Sequence, residues 1–363
     1  VRLGGQFLGR AMTGFKGGRF LIDQIVSTVG PTDFASFENS GASEVTFQSP
    51  VGSDLVVTGQ YDLGAGWTLP GTPGTLNFLA GANLIFDNAR LTNNNSNARW
   101  DYVGSADGDI LFSNSQVTTG FGGNMQFSAP NGNISLVNSF GQLSMLRNSA
   151  AGGNLTLAAG LDIISPTARV NYVAPRLLGG IRLDGPGNLT ITAGNDFVGG
   201  SVSGQFIGPG FVLANGTATV TAGRNIGGAQ KGVATTDPDQ YANLTLGSGT
   251  INLTAQSGSI YLGRVQDMGA SDTTGGALRL TVDPSNRVML KAKEDIFLNP
   301  RIPEFNTINA IRVCILLPSV QRLKTGTFLS NRTWVSGPRR PARSDSPLER
   351  TSSACREMSE FLI

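Results

Sequence analysis

The chain has 363 residues, of which 49 are Gly and 14% are charged, and it contains no histidine. Glycine at about twice its ordinary share signals many tight turns. The missing histidine excludes Ser-His-Asp and Cys-His nucleophiles, His-ligated zinc, the two-His-one-carboxylate iron site, proximal-His haem and a histidine pH switch.

From the N-terminus, the first 30 residues lack the charged start, apolar middle and small-residue cleavage site of a secretory signal, so the expectation is either a chain that never had a signal or an internal fragment. The glycine clusters "GGQFLGR" at Gly4 and "GFGGN" at Gly120 lack the Gly-Lys-Ser/Thr and strand-to-helix context of a phosphate loop, so they read as turns. The first clear pattern begins at Gly74, "GTLNFLAGANL", and it returns as "GNLTLAAGLDI" from Gly153, "GNLTITAGNDF" from Gly187 and "GTATVTAGRNI" from Gly216. Counted from the first Gly, apolar residues fall at +2 and +4, Ala at +6, Gly at +7, Asp or Asn at +9 and an apolar residue at +10. Two copies, "GNMQFSAPNGNISL" from Gly123 and "GTINLTAQSGSIYL" from Gly249, carry one extra turn residue, and "NRVMLKAKEDI" from Asn286 is a degenerate seventh.

The alternation has period two, so each copy predicts a short strand with one buried face, a turn, and a second strand. Gly at +7 and Asp or Asn at +9 are expected to supply positive φ and local backbone bonds in that turn. Copies start 30, 34, 29, 33 and 37 residues apart from Gly123 onward, with no helical period between them. A strand-turn-strand unit cannot close a core alone and must stack on its neighbours, which predicts a β-solenoid over 1–311 rather than a two-sheet sandwich. Leu155, Leu157, Leu189, Ile191, Val220, Leu253 and Leu290 should point inward, as should Phe78, Phe127 and Phe197.

The "G-N-L-T-L-x-A-G-x-D-I" units, the Gly/Asn/Thr/Ser-rich body, the absence of cysteine from 1–311 and the connector "LTNNNSNARW" resemble the large bacterial exoproteins of the filamentous haemagglutinin type. The resemblance covers roughly residues 50–310 and implies a right-handed parallel β-helix in an adhesin secreted by two-partner secretion. It further implies an outer-membrane transporter as partner, host or cell-surface glycans or proteins as targets, and an extracellular, cell-surface location.

Several residues invite chemistry. Asp107, Asp109, Asp162, Asp196 and Asp295 could supply the paired carboxylates of a β-helix carbohydrate lyase or hydrolase, the alternative function. All but Asp107 occupy the recurring turn slot, however, which Asn83 and Asn225 fill elsewhere, so turn stabilisation is the expected role and no catalytic residue is assigned. The calcium-binding nonapeptide of other solenoids is absent, and no metal or cofactor is expected. Sequons at Asn133, Asn154, Asn188, Asn215, Asn243 and Asn252 arise from the repeat and read as strand starts first. Tyr61, Trp67, Trp100 and Tyr102 fall outside the recognised units and are expected on surface connections, where a ligand surface would lie.

Beyond the body, the sequence changes. Residues 1–311 hold 18 Lys+Arg and 21 Asp+Glu, net −3, whereas 312–363 hold 9 and 4, net +5, with both cysteines, Cys314 and Cys355, and only two glycines. This basic tail is expected to be irregular and dispensable, or the product of a shifted reading frame, with Ile311–Leu317 as a possible cap on the last rung. Its scattered basic residues are a poor nucleic-acid platform, and it lacks the alternating barrel strands that end an autotransporter. The longest apolar stretch, near Ile311 to Val320, contains Arg312 and Pro318, so no membrane-spanning helix is expected.

Overall fold

The structure is a computed structural model. It describes residues 17–23, 27–64, 66–67, 73–94, 98–137, 144–165, 180–198, 202–203, 206–207, 210–227, 242–267, 286–298 and 312–316. It is a parallel β-helix: among the described residues almost every strand pairs in parallel with the strand one coil earlier and one coil later, and Pro31–Ala35 is the single short α-helix.

The strands form three faces. The first runs Arg19–Ile22, Glu44–Gln48, Gly74–Ala80, Trp100–Ala106, Met125–Ala129 and Leu155–Ala159. It continues through the C-terminal halves of Gly180–Ala193, Phe211–Ala222 and Ala242–Ala255 to Arg287–Ala292 and Arg312–Leu316. Ten steps at the usual strand spacing of about 4.8 Å give this face a length of about 48 Å. After the turn, a second face stacks strands such as Leu84–Thr92, Ile110–Ser113, Ile134–Val137 and Ile163–Ile164. A third carries Gln116–Thr119, Met145–Asn148 and the N-terminal halves of the long strands.

The repeat template sets the register. Leu155 lies opposite Leu189, Ala218 and Ile251 in successive coils, and Leu157 opposite Ile191, Val220, Leu253 and Leu290. Every residue expected to point inward does so: Leu155, Leu157, Leu189, Ile191, Val220, Leu253, Leu290, Phe78, Phe127 and Phe197 are all buried. Alternation thus converts directly into a continuous lumen of aliphatic and aromatic side chains. Within it Phe86 stacks on Phe112 at 4.7 Å, and Phe127 meets both edge-on at 6.0 and 5.1 Å, geometries that aromatic quadrupoles favour.

Three expectations are revised. Two coils escaped recognition, "SEVTFQSPVGSDL" from Ser43 and "WDYVGSADGDI" from Trp100, although both take their places in the first face. The second has Gly at +4, because Phe127 of the next coil fills that space; a Cβ on Gly104 would lie 2.4 Å from its ring. The +7 glycines do not serve positive φ either. At Gly81, Gly160, Gly194 and Gly223 a Cβ would lie 1.8–2.0 Å from the carbonyl oxygen of the coil beneath, so these positions are glycine because backbones touch. Finally, parallel pairing passes the expected boundary at 311, since Arg312–Leu316 lies in register on Arg287–Lys291, placing Cys314 in the stack. The rest of the tail, with Cys355, lies outside the described residues, as does Gly4.

Candidate functional site

The turn after each first-face strand is where the recurring Asp or Asn falls, and there the chain must satisfy backbone donors that no strand partner reaches. Each side-chain oxygen does this for the next coil. Asp54 Oδ1 accepts from the Asn83 backbone N–H at 3.0 Å, Asn83 Oδ1 from Asp109 at 2.8 Å, and Asp109 Oδ1 from Asn133 at 2.7 Å. Asn133 accepts from Asp162 at 3.0 Å, Asp162 from Asp196 at 2.9 Å, and Asp196 from Asn225 at 2.8 Å. Asn225 accepts from Ser259 at 2.9 Å, and Ser259 Oγ from Asp295 at 3.2 Å. The result is one ladder through nine coils, in which Asp, Asn and Ser are interchangeable because each needs only one acceptor oxygen.

A second ladder climbs the start of the first face. Asp101 Oδ1 accepts from the Asn124 N–H at 2.8 Å, and the same bond recurs from Asn154 to Asn124 and from Asn188 to Asn154, each at 2.9 Å. Three of the six sequon asparagines, Asn133, Asn154 and Asn188, are thereby explained as rungs. Asp54 and Asp101, which head the two ladders, were not singled out in the sequence because their coils were not recognised.

This geometry decides what the aspartates can do. Asp109, Asp162, Asp196 and Asp295 fall on one line, as the template predicts, and the first three each hold a backbone N–H of the next coil rather than facing each other across a cleft. Asp107 stands apart, exposed in its turn. Asp196 also takes two hydrogen bonds from the half-exposed Arg224 guanidinium, whose pKa is raised by the hydrogen bonds to Asp196 and by its charge. Replacing Asp196 by Asn keeps the acceptor and loses an ion pair whose Arg224 end is half-exposed, so a cost of about 1 kcal/mol is expected. Asp196→Ala strands the Asn225 N–H and is expected to cost about 1–3 kcal/mol in chemical denaturation.

The aromatic candidates sit elsewhere than expected. Trp67, Trp100 and Tyr102 are buried, with 2%, 1% and 0% of their surface exposed, so they form no ligand platform. Trp100 and Tyr102 occupy the +0 and +2 slots of an unrecognised coil, and the slot dictates burial. Trp67 packs edge-on against Trp100 at 4.9 Å, accepting a 2.8 Å hydrogen bond from the Trp100 indole at its carbonyl. Its own indole donates to the Tyr61 hydroxyl at 3.0 Å, which in turn donates to Glu38 at 2.6 Å. Tyr61, partly buried, has its pKa raised by desolvation and by this bond to Glu38.

Tyr102 differs in having no partner. Its hydroxyl is buried without a hydrogen bond, and burial raises its pKa well above the ordinary tyrosine value. An unpaired buried hydroxyl costs stability, so Tyr102→Phe is expected to leave the melting temperature unchanged or raise it. A clear drop would reveal a bond that the fold has hidden.

Among the described residues no three His, Cys, Asp or Glu side chains converge to hold a metal ion, and no helix is long and apolar enough to cross a membrane. No protein-family model, curated protein or solved structure matches the chain.

Proposed function

We propose that this chain is a structural and adhesive shaft segment of a secreted, cell-surface bacterial exoprotein of the filamentous haemagglutinin type, exported through an outer-membrane transporter and not itself catalytic. The supporting observation is the use made of the acidic residues. The aspartates that a β-helix lyase or hydrolase would draw on are joined coil to coil in a ladder whose other rungs are asparagine and serine, residues that cannot serve as the general acid or base of such a reaction. Recurrence in most coils fits a role that every coil shares, namely holding a rod together, and a long narrow body separates a binding tip from the surface that bears it. The resemblance of the repeat units supplies the family.

The test is retention of cells or glycan-coated beads on the immobilised chain, run beside an assay for release of reducing or unsaturated sugar ends from polysaccharides. Retention without sugar release is expected. Sugar release abolished by Asp162→Asn or Asp196→Asn would replace this reading with the carbohydrate-active enzyme.

A further inference from the structure

The lumen holds two polar side chains that neither ladder accounts for. Among the described residues four buried side-chain polar atoms make no hydrogen bond, and three of them, Tyr102 Oη, Thr119 Oγ1 and Asn148 Oδ1, fall in two consecutive coils. Tyr102 lies on the first face. Thr119 and Asn148 lie opposite each other on the third, in register, with none of their surface exposed. Such orphans are rare in folded proteins, because burial without a partner forfeits the bonds to water that the group makes in the unfolded chain.

Asn148 fixes the side on which its missing partner must lie. Its amide nitrogen donates to the carbonyl oxygens of Gly123 at 3.3 Å and Asn154 at 3.2 Å. Exchanging the amide oxygen and nitrogen would set the oxygen against those two acceptors, so Oδ1 is held on the far side of the amide and needs a donor there. Thr119 carries a hydroxyl proton but does not reach Oδ1. The other buried polar side chains of the two coils, Ser115 and Ser144, are already spent on the carbonyl oxygens of Phe86 and Phe112. The column continues as Leu183, Leu213 and Leu246 in the next three coils, and threonine is the smallest of its five side chains.

We infer that an ordered water sits between Thr119 and Asn148 inside the lumen, accepting from the Thr119 hydroxyl and donating to Asn148 Oδ1. Side chains in register repeat at about 4.8 Å, well beyond the roughly 2.8 Å of a direct O–H···O bond, whereas two such bonds meeting at one water span about 4.5 Å. None of the buried polar residues of these coils is charged, which fits a neutral ligand and not a metal ion that seeks carboxylates. A water with these two partners meets the minimum for a buried site, and it joins the two coils from within as the ladders join them at the turns.

A crystal structure of the full chain, at a resolution that shows ordered water, tests the site directly. One density peak within hydrogen-bond distance of both Thr119 Oγ1 and Asn148 Oδ1 is expected. Thr119→Val keeps the shape and removes the hydroxyl, and the sign of its effect is the second test. If the hydroxyl is a true orphan, its loss leaves the melting temperature unchanged or raises it; if it holds a water that also serves Asn148, the melting temperature falls by about 2 °C or more. A vacant gap between the two side chains, a direct bond from Thr119 to Asn148, a peak ringed by five or more oxygens at about 2.4 Å as for a cation, or a Thr119→Val chain at least as stable as the parent would overturn the inference. The parent crystal structure decides alone should the variant not fold. Cell retention on the immobilised chain is a separate readout, so failure here leaves the shaft reading standing.

Discussion

Ile191→Asp is expected to be the most damaging single substitution among those considered. Ile191 is fully buried, and its neighbours in the stack are Leu157 on one side and Val220 on the other. A carboxylate there meets no buried Lys or Arg among the described residues, so several kcal/mol are lost even after the group protonates. Because each coil contacts mainly its neighbours, the damage should appear as a local opening that splits the unfolding transition rather than a uniform shift. Thr190→Asp, one residue earlier and facing solvent, is the control and should cost a small fraction of this. Equal effects from the two would mean that residues 189–193 are not alternately buried.

Gly194→Val is expected to come second. A Cβ at Gly194 would lie 1.9 Å from the carbonyl oxygen of Gly160, and that oxygen is backbone that cannot swing aside. The two coils must part, breaking the 2.9 Å bond from the Gly194 N–H to the Ala159 carbonyl, with a loss of at least the about 1–3 kcal/mol typical of overpacking. Gly52→Ala separates this cause from backbone conformation: Gly52 has φ +76 with open space around it, so strain of about 1–2 kcal/mol is the whole obstacle. Denaturant midpoints for the two variants should rank in that order, and a benign Gly194→Val would refute the close approach of the coils.

Most of the architecture was legible because the repeat is a statement about burial. Apolar residues at +2 and +4 are enough to orient a strand, and the distances between copies are the coil lengths. The coils that escaped notice show the limit of that reading. A template looks for the same residue in the same slot, but packing conserves volume across neighbouring coils: Trp100 occupies the space above Gly74, and Phe127 the space above Gly104. Large and small exchange places between coils, and a slot-by-slot comparison cannot register the exchange. The same blindness put Trp100 and Tyr102 on the surface. For the turn aspartates the recurring slot was sufficient to suggest turn stabilisation, yet the partner was legible only in three dimensions. The bond runs to the next coil, some 24–36 residues away, rather than to the residue's own turn.

The Asp/Asn/Ser ladder also has a direction. Every rung between the two ends offers an oxygen toward the C-terminal neighbour and receives one from the N-terminal neighbour, and the receiving group is backbone, which any residue but proline can supply. A finished coil is therefore a template for whatever coil follows it, without a matching side chain. Excising residues 155–188 would join Asn154 to Leu189 in the same phase of the pattern, bringing the Asp196 N–H to the oxygen of Asn133 that now serves Asp162. Such a rod can change length by whole coils through unequal recombination with the ladder bond re-formed at the seam, wherever the core volumes of the two joined coils also match, and a chain emerging N-terminus first can fold behind its own leading edge.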